Sequence, residues 1–356
     1  MNNFYKNKRV LVTGHTGFKG SWLSLYLNLL GSKVYGISLS PEDKINNFEL
    51  SKIKKILKKN YIFDLRDKKK LERVIKQIKP NIIFHLAAQP LVSISYKDPY
   101  LTWTSNLMST LNLCEIVKNY KNKLIFVVIT SDKCYENLEL NRGYKETDRL
   151  GGKDPYSASK ASVEILCKSF YNSFFKFKKN IKFATSRAGN VIGGGDWSED
   201  RLIPDVIKSI QKNQILKIRS PKSTRPWQHV LEPINGYLRL AFKLEKNKNL
   251  NGQSFNFGPG KFKDYNVQDV IKLFQNFFPN LNYKIIKNKK FHESKLLKLN
   301  CEKAYKLLGW KQILNIDLTI TYTALWYQNF LKKKKRFDMH DFSISQIKDF
   351  IKIKNG

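Results

Sequence analysis

The stretch Arg9-Val10-Leu11-Val12-Thr13-Gly14-His15-Thr16-Gly17-Phe18-Lys19-Gly20 constrains this chain more than any other. Its first half is short, apolar and rich in β-formers, the pattern of a strand buried on both faces. It runs without a break into Gly14-x-x-Gly17-x-x-Gly20. An amphipathic helix over Phe18 to Leu30, closed by Gly31, is expected to follow. A strand, a glycine turn and a helix N-terminus in immediate succession let backbone approach a pyrophosphate, whose charge the helix end favours. A tight turn with no ligand would need only one of the three glycines.

The rhythm continues. Strands are expected at Val34 to Ser38, Tyr61 to Leu65, Asn81 to Ala87, Lys123 to Ser131 and Ile181 to Arg187, with helices between them, including a long one from Tyr100 to Asn119. Alternation of this kind predicts an α/β fold with a Rossmann-like, doubly wound parallel sheet and a smaller, mixed C-terminal domain. The first domain is expected over 1–188 plus 231–257, where Phe255-Asn256-Phe257-Gly258 has the look of another strand end. The second is expected over 189–230 plus 258–330. The second strand ends in Ser38 and Ser40, with Glu42 and Asp43 further on, and no Arg stands there to hold a 2′-phosphate; NAD is therefore favoured over NADP. Asp64 and Leu65 are expected at the adenine edge, with a helix N-cap as the plainer role for Asp64.

Open α/β sheets bind ligands at the C-terminal ends of their strands. Two stretches of interest fall there: Leu86-Ala87-Ala88-Gln89 after the fourth strand and Ser131-Asp132-Lys133 after the fifth. Further on, Asp154-Pro155-Tyr156-Ser157-Ala158-Ser159-Lys160 has an N-cap, a proline suited to the first turn, and a Tyr and a Lys four residues apart on one helical face. A free phenol titrates near about 10, and a neighbouring ammonium lowers that value. The pair is a candidate general base for a sugar hydroxyl; by itself it is equally an amphipathic helix with a solvated Lys. His85 is expected to be a packed strand residue.

Composition bounds the rest. At 356 residues the chain can bury two domains. No apolar run is long enough to span a membrane, and the polar N-terminus leads straight into a strand, without a secretory pattern. Four cysteines and five histidines are scattered without metal-ligand spacing, so no metal is expected. The net charge of +36 admits a nucleic-acid partner, but Lys and Asn are heavy everywhere, loops included, which is compositional drift rather than a patch. The dense basic block from Lys332 to Arg336 is expected to open a solvated tail over 331–356.

Taken in order, Gly14-x-x-Gly17-x-x-Gly20, Asp64-Leu65, His85-Leu86-Ala87-Ala88, Ser131-Asp132-Lys133 and Tyr156-x-x-x-Lys160 resemble the extended short-chain dehydrogenase/reductase family over nearly the whole length. Within it the chain is most similar to the 4,6-dehydratases of CDP-glucose, which carry Ser-Asp-Lys where those acting on dTDP-glucose carry Thr-Asp-Glu. The segments Arg187 to Trp197, Asp200 to Asp205 and Arg225 to Val230 share the likeness. The resemblance implies a cytoplasmic lyase of deoxysugar biosynthesis, such as that of lipopolysaccharide O-antigen, with bound NAD, a nucleotide-sugar substrate, no nucleic-acid or membrane partner, and a homodimer or dimer of dimers. The helices after Tyr100 and Tyr156 would pair through Leu107, Leu111, Val163, Leu166 and Phe170.

By that likeness Gly14, Thr16, Gly17, Phe18, Gly20, Asp64, Leu65, Leu86, Ala87 and Ala88 would hold NAD, together with Tyr156 and Lys160. Tyr156 would take the C4 hydroxyl proton, with Lys160 depressing its pKa and Ser131 bonded to the C4 oxygen. Asp132 would protonate the departing C6 hydroxyl. Lys133, if neutral, would take the C5 proton or else only orient substrate. Gln89, Asn190, Arg201, Arg219, Arg225 and His229 would contact the nucleotide sugar, Arg219 and Arg225 through its phosphates, with a structural role equally open for His229. Trp227 would lie near the base or in the core, and His292 and Glu293 have no assigned role. Two rivals remain: a nucleotide-sugar 4-epimerase, which needs no elimination acid and base, and a nucleic-acid binder on a degenerate Rossmann core.

Overall fold

In a computed structural model, residues 2–41, 44–260, 265–286, 297–332 and 338–355 are described. Seven parallel strands form the central sheet: β1 (Arg9–Thr13), β2 (Lys33–Ser38), β3 (Lys59–Ile62), β4 (Ile82–His85), β5 (Leu124–Ile129), β6 (Ile181–Ala188) and β7 (Gln253–Phe257). Their order is β7-β6-β5-β4-β1-β2-β3, so the sheet is wound outward in both directions from the β1–β4 junction. Every residue of β4 and β5 is buried, as the unbroken apolar runs require of strands covered by helices on both faces. Register is in step across the junction, with Thr13 opposite both Ile37 and His85. The stretches that follow β1, β4 and β5 therefore leave the sheet on one edge.

The glycine turn forms for a steric reason. Gly14 has φ +75°, and a Cβ there would lie 2.8 Å from the Ala87 nitrogen; a Cβ on Gly20 would lie 2.0 Å from the Gly14 carbonyl oxygen. Only glycine closes this turn. The helix Phe18–Leu29 then buries Trp22, Leu23, Leu25, Tyr26 and Leu27 beneath the sheet, and Trp22 Nε1 donates to Gly194 O at 2.9 Å.

β7 pairs in parallel with β6, returning the chain to the central sheet after an excursion. Outside that sheet, Leu216–Ile218 pairs with Tyr283–Ile285, and Val191–Ile192 with Gln228–His229. The first of these joins a strand from 189–230 to one from 258–330.

Two expectations need correction. The long helix expected from Tyr100 is interrupted: Pro99–Trp103 is α-helical, Thr104–Met108 makes a π-turn, and Ser109–Lys118 resumes the α-helix. The solvated tail is in fact a helix from residue 339 onward. Met339–Asn355 buries Ile347 and Phe350 completely, and Ser343 Oγ accepts a hydrogen bond from Trp326 Nε1 at 2.9 Å. The apolar spacing Met339, Phe342, Ile347, Phe350 had carried that signal beneath the lysines. Lys333 to Arg336, like Glu42, Asp43, His292 and Glu293, lies outside the described residues.

Candidate active site

The N-cap of the helix Pro155–Ser173 is Asp154, whose side chain accepts from the Ser157 nitrogen at 2.9 Å and from Ser157 Oγ at 2.6 Å. That cap fixes where the helix begins and so where Tyr156 and Lys160 point. Both side chains are buried. Ser131, just past the end of β5, lies near enough to Tyr156 to lower its pKa. The Ser131 hydroxyl donates to Asp132 Oδ1 at 2.9 Å and accepts from the Lys133 nitrogen at 3.2 Å. Ser131, Asp132, Tyr156 and Lys160 thus meet at the C-terminal edge of the sheet, as expected, with Lys133 half-buried beside Asp132.

The electrostatics differ in one respect from expectation. Burial pushes the Tyr156 phenol up to about 12, opposed by the nearby Ser131; the Lys160 ammonium is not what sets it. Burial lowers Lys160 to about 8, helped by the nearby Lys19 cation. Asp132 is raised, because burial penalises its charge more than Lys133, Ser131 and Lys19 favour it. Its Oδ2 is buried without a hydrogen-bond partner among the described residues. A carboxyl in that setting can keep its proton and give it away.

The glycine turn fits a pyrophosphate. Gly17 is the N-cap of its helix with no side-chain cap, so the first-turn N–H groups keep their donors. A Cβ on Gly17 would meet only the Gly14 carbonyl, at 3.4 Å, so that face is open while Gly14 and Gly20 are closed. Thr16 Oγ1 is hydrogen-bonded to Ser38 Oγ at 2.7 Å and donates to Leu39 O at 3.0 Å, which places the end of β2 beside the turn. The Phe18 ring packs towards Gly193. Leu86 and Ala87 donate their N–H groups to Thr13, and Ala88 follows, half-buried.

Other expected site residues are placed differently. Asp64 forks with Arg66, at 2.6 Å to Nη2, while Asp67 caps the next helix. The Leu65 carbonyl accepts from Asn112 Nδ2 at 3.0 Å. The Gln89 amide is used at both ends, donating to Thr102 Oγ1 at 2.7 Å and accepting from the Leu91 nitrogen, so it braces its loop rather than reaching for a sugar. His229 is fully buried between Trp22 and Tyr322, and burial lowers it to about 3; it is a core residue, and the expected substrate contact is not supported. Trp227 is also in the core, donating to Tyr265 O. His85, between Thr13 and Thr110, is the packed strand residue expected.

Arg201 does reach the site. It pairs with Asp196 at 2.8 Å and lies close enough to Tyr156 and Lys19 to perturb both. Asn190 is half-buried on the same side. Arg225 is half-buried and donates to Thr224 O, whereas Arg219 is exposed and its contact with Asp200 is 3.5 Å. Sequence reasoning missed Lys19. It stands in the first turn of the Phe18–Leu29 helix, where a cation opposes the dipole. Burial lowers it to about 8, with Arg201 adding to the shift and Asp132 and Asp196 opposing it. It missed Asn106 as well: the π-turn aims this side chain at Ser159 Oγ (2.8 Å) and the Gln89 backbone.

Comparison with known proteins agrees with this geometry. The family described as GDP-mannose 4,6 dehydratase matches residues 11–323. CDP-glucose 4,6-dehydratase of Salmonella typhimurium is 41% identical over 98% of this chain and 98% of its own length. dTDP-D-glucose 4,6-dehydratase of Dictyostelium discoideum is 30% identical over 70% of this chain and 58% of its own. Among solved structures, UDP-glucose 4-epimerase of Thermotoga maritima with UDP-glucose superposes with TM-score 0.78 at 23% identity, covering 91% of this chain and 99% of that one. dTDP-glucose 4,6-dehydratase of Bacillus anthracis in complex with NAD gives 0.76 at 20%, covering 92% and 98%; at such identities the likeness is one of fold. The chain belongs to the GDP-mannose 4,6 dehydratase family of extended short-chain dehydrogenases/reductases.

Proposed function

We propose that this chain dehydrates CDP-glucose to CDP-4-keto-6-deoxyglucose with tightly held NAD. The observation that carries the reading is the convergence of Ser131, Tyr156 and a raised, half-unpartnered Asp132 at one strand end. The 41% identity to a CDP-glucose 4,6-dehydratase over 98% of the chain supports the choice of substrate. The turn Gly14, Gly17 and Gly20 would hold NAD, which would supply the hydride acceptor for C4 and the hydride donor for C6.

The protein's own groups move the protons. To take the C4 hydroxyl proton Tyr156 must act as the phenolate, a form that burial disfavours and that the positive nicotinamide of bound NAD would favour, with Ser131 holding the C4 oxygen and Lys160 close by. The ketone acidifies C5–H. Lys133, acting as the neutral amine, takes that proton while Asp132 gives its own to the departing C6 hydroxyl, and water leaves. A proton returned to C5 balances the hydride returned to C6. Burial raises Asp132, the direction that favours the protonated carboxyl this step needs. Arg201 and Arg225 face the substrate diphosphate, Arg219 being too exposed for a strong hold.

The division into a cofactor domain over 1–188 plus 231–257 and a sugar domain over 189–230 plus 258–330 belongs to the same reading. So does assembly as a homodimer or dimer of dimers through the helices after Tyr100 and Tyr156, which leave Met108 and Ile165 exposed. Four free cysteines suit a cytoplasmic setting. The test is mass spectrometry of products from a panel of nucleoside diphosphate glucoses. Loss of one water with CDP-glucose alone supports the reading. An isomer of unchanged mass would favour a 4-epimerase.

A further inference from the structure

Two catalytic segments lie on different elements, one at the end of β5 and one on the helix Pro155–Ser173. A wholly buried ion pair joins them. Glu164, one turn beyond Lys160, bonds Arg187 of β6 at 2.8 Å, with side chains 2% and 4% exposed. Thr130 Oγ1 donates to Glu164 Oε1 at 2.5 Å, and Thr185 Oγ1 donates to Oε2 at 2.8 Å. Thr130 immediately precedes Ser131. On the far side, Arg187 Nη1 donates to the Tyr135 hydroxyl at 2.8 Å, and that hydroxyl donates to Asn256 Oδ1 at 2.7 Å. Ser131-Asp132-Lys133 is therefore bracketed by two residues, Thr130 and Tyr135, that are both tied to one pair.

A buried ion pair of this kind is a poor way to gain stability, since desolvation offsets most of the attraction. Apolar residues of the same volume would serve the core as well. What the pair adds is direction: two of its bonds, to Thr130 and Tyr135, are to residues flanking the reacting groups. Arg187 and the two threonine hydroxyls hold Glu164 below the usual carboxylate range in spite of its burial, so the pair stays charged and its bonds stay strong.

We propose that Glu164, clamped by Arg187, is a positioning residue that sets the spacing of Tyr156 and Lys160 against Ser131 and Asp132. It touches no substrate atom and acts through Thr130 and Tyr135. The kinetic part rests on the proposed dehydration; the geometric part does not. Misplacement of reacting groups by about 1 Å can cost about 100-fold in rate.

The experiment compares Glu164→Gln and Thr130→Val with the wild-type full-length chain. Thr130→Val keeps shape and removes one tie, so it remains informative if Glu164→Gln does not fold. Well below the melting temperature of each variant, kcat on CDP-glucose is expected to fall about 10- to 100-fold with KM within about threefold. A variant that only loses melting temperature, with kcat within threefold of wild type, overturns the proposal. Crystal structures of the variants and of the wild type read the same point without turnover: the Ser131 Oγ–Tyr156 Oη distance changes, and an unchanged distance overturns the proposal. Failure of the wild-type chain to turn over any nucleoside diphosphate glucose would overturn the dehydratase reading alone, and the crystal comparison would still decide this one.

Discussion

Ser131 donates its hydroxyl to Asp132 Oδ1 at 2.9 Å, and the second oxygen of that buried carboxyl has no partner among the described residues. An orphaned carboxylate oxygen in a fold is costly unless the group is protonated or has a ligand to serve. Asp132→Asn keeps the volume and the Ser131 contact but has no acidic proton to give. Oxidation at C4 should persist and elimination should slow by about 10²–10⁴-fold. Single-turnover spectroscopy would resolve the two, and a variant that eliminates at the wild-type rate would exclude Asp132 as the acid.

Tyr156→Phe removes the proton acceptor while leaving a ring to fill its buried site. Turnover should drop by about 10²–10⁴-fold, with melting temperature and NAD binding close to wild type. Equilibrium dialysis of NAD and a thermal melt check the second half. Lost NAD binding would mean that the residue holds cofactor rather than moving a proton.

Lys133→Ala should stall the cycle after the first hydride transfer. Enzyme-bound reduced nicotinamide should then build up on adding substrate, visible in the near ultraviolet. Ordinary turnover would restrict Lys133 to orienting substrate.

The glycines of the turn should separate binding from folding. Gly17 has φ −76° and an open Cβ position, so Gly17→Ala should fold normally and bind NAD at least about tenfold more weakly, by obstructing backbone approach to phosphate. Gly20→Ala places its Cβ on the Gly14 carbonyl and should cost on the order of 1–3 kcal/mol or more. Thermal melts with and without NAD distinguish the two, and equal behaviour would argue against the turn as the cofactor site.

Glu232 offers a pH test away from the active site. It is fully buried, its Oε1 accepts the Ile313 and Leu314 N–H groups, and burial raises it to about 7 against those bonds. The folded state holds its proton more tightly than the unfolded one, so this group's contribution to stability is full below about 4.5 and falls away as pH rises to about 7. Glu232→Gln keeps the acceptor and removes the charge. It should stabilise the protein by roughly 1–3 kcal/mol at pH 8 and by little at pH 4. Urea melts at both values check the sign; equal effects at the two would mean that Glu232 stays ionised in the fold.

Much of this was legible in the chain itself. Strand-turn-helix order, the glycine trio and the Asp154 cap are local, and each is enforced by sterics or hydrogen bonds within a few residues. The same locality explains where expectation failed. His229 resembles a ligand-facing residue in sequence, yet its surroundings, Trp22 and Tyr322, come from segments some 200 and 90 positions away in the chain. The C-terminal helix was hidden behind the basic block from Lys332 to Arg336 that precedes it, while its own Met339, Ile347 and Phe350 are buried.

The amino-acid order alone determined the doubly wound sheet and named the candidate reacting groups, because burial periodicity and backbone sterics act over short spans. The tertiary structure decided which charges those groups carry. Desolvation raises Tyr156 and Asp132 and lowers Lys160, and desolvation depends on everything folded around a side chain rather than on its neighbours in sequence.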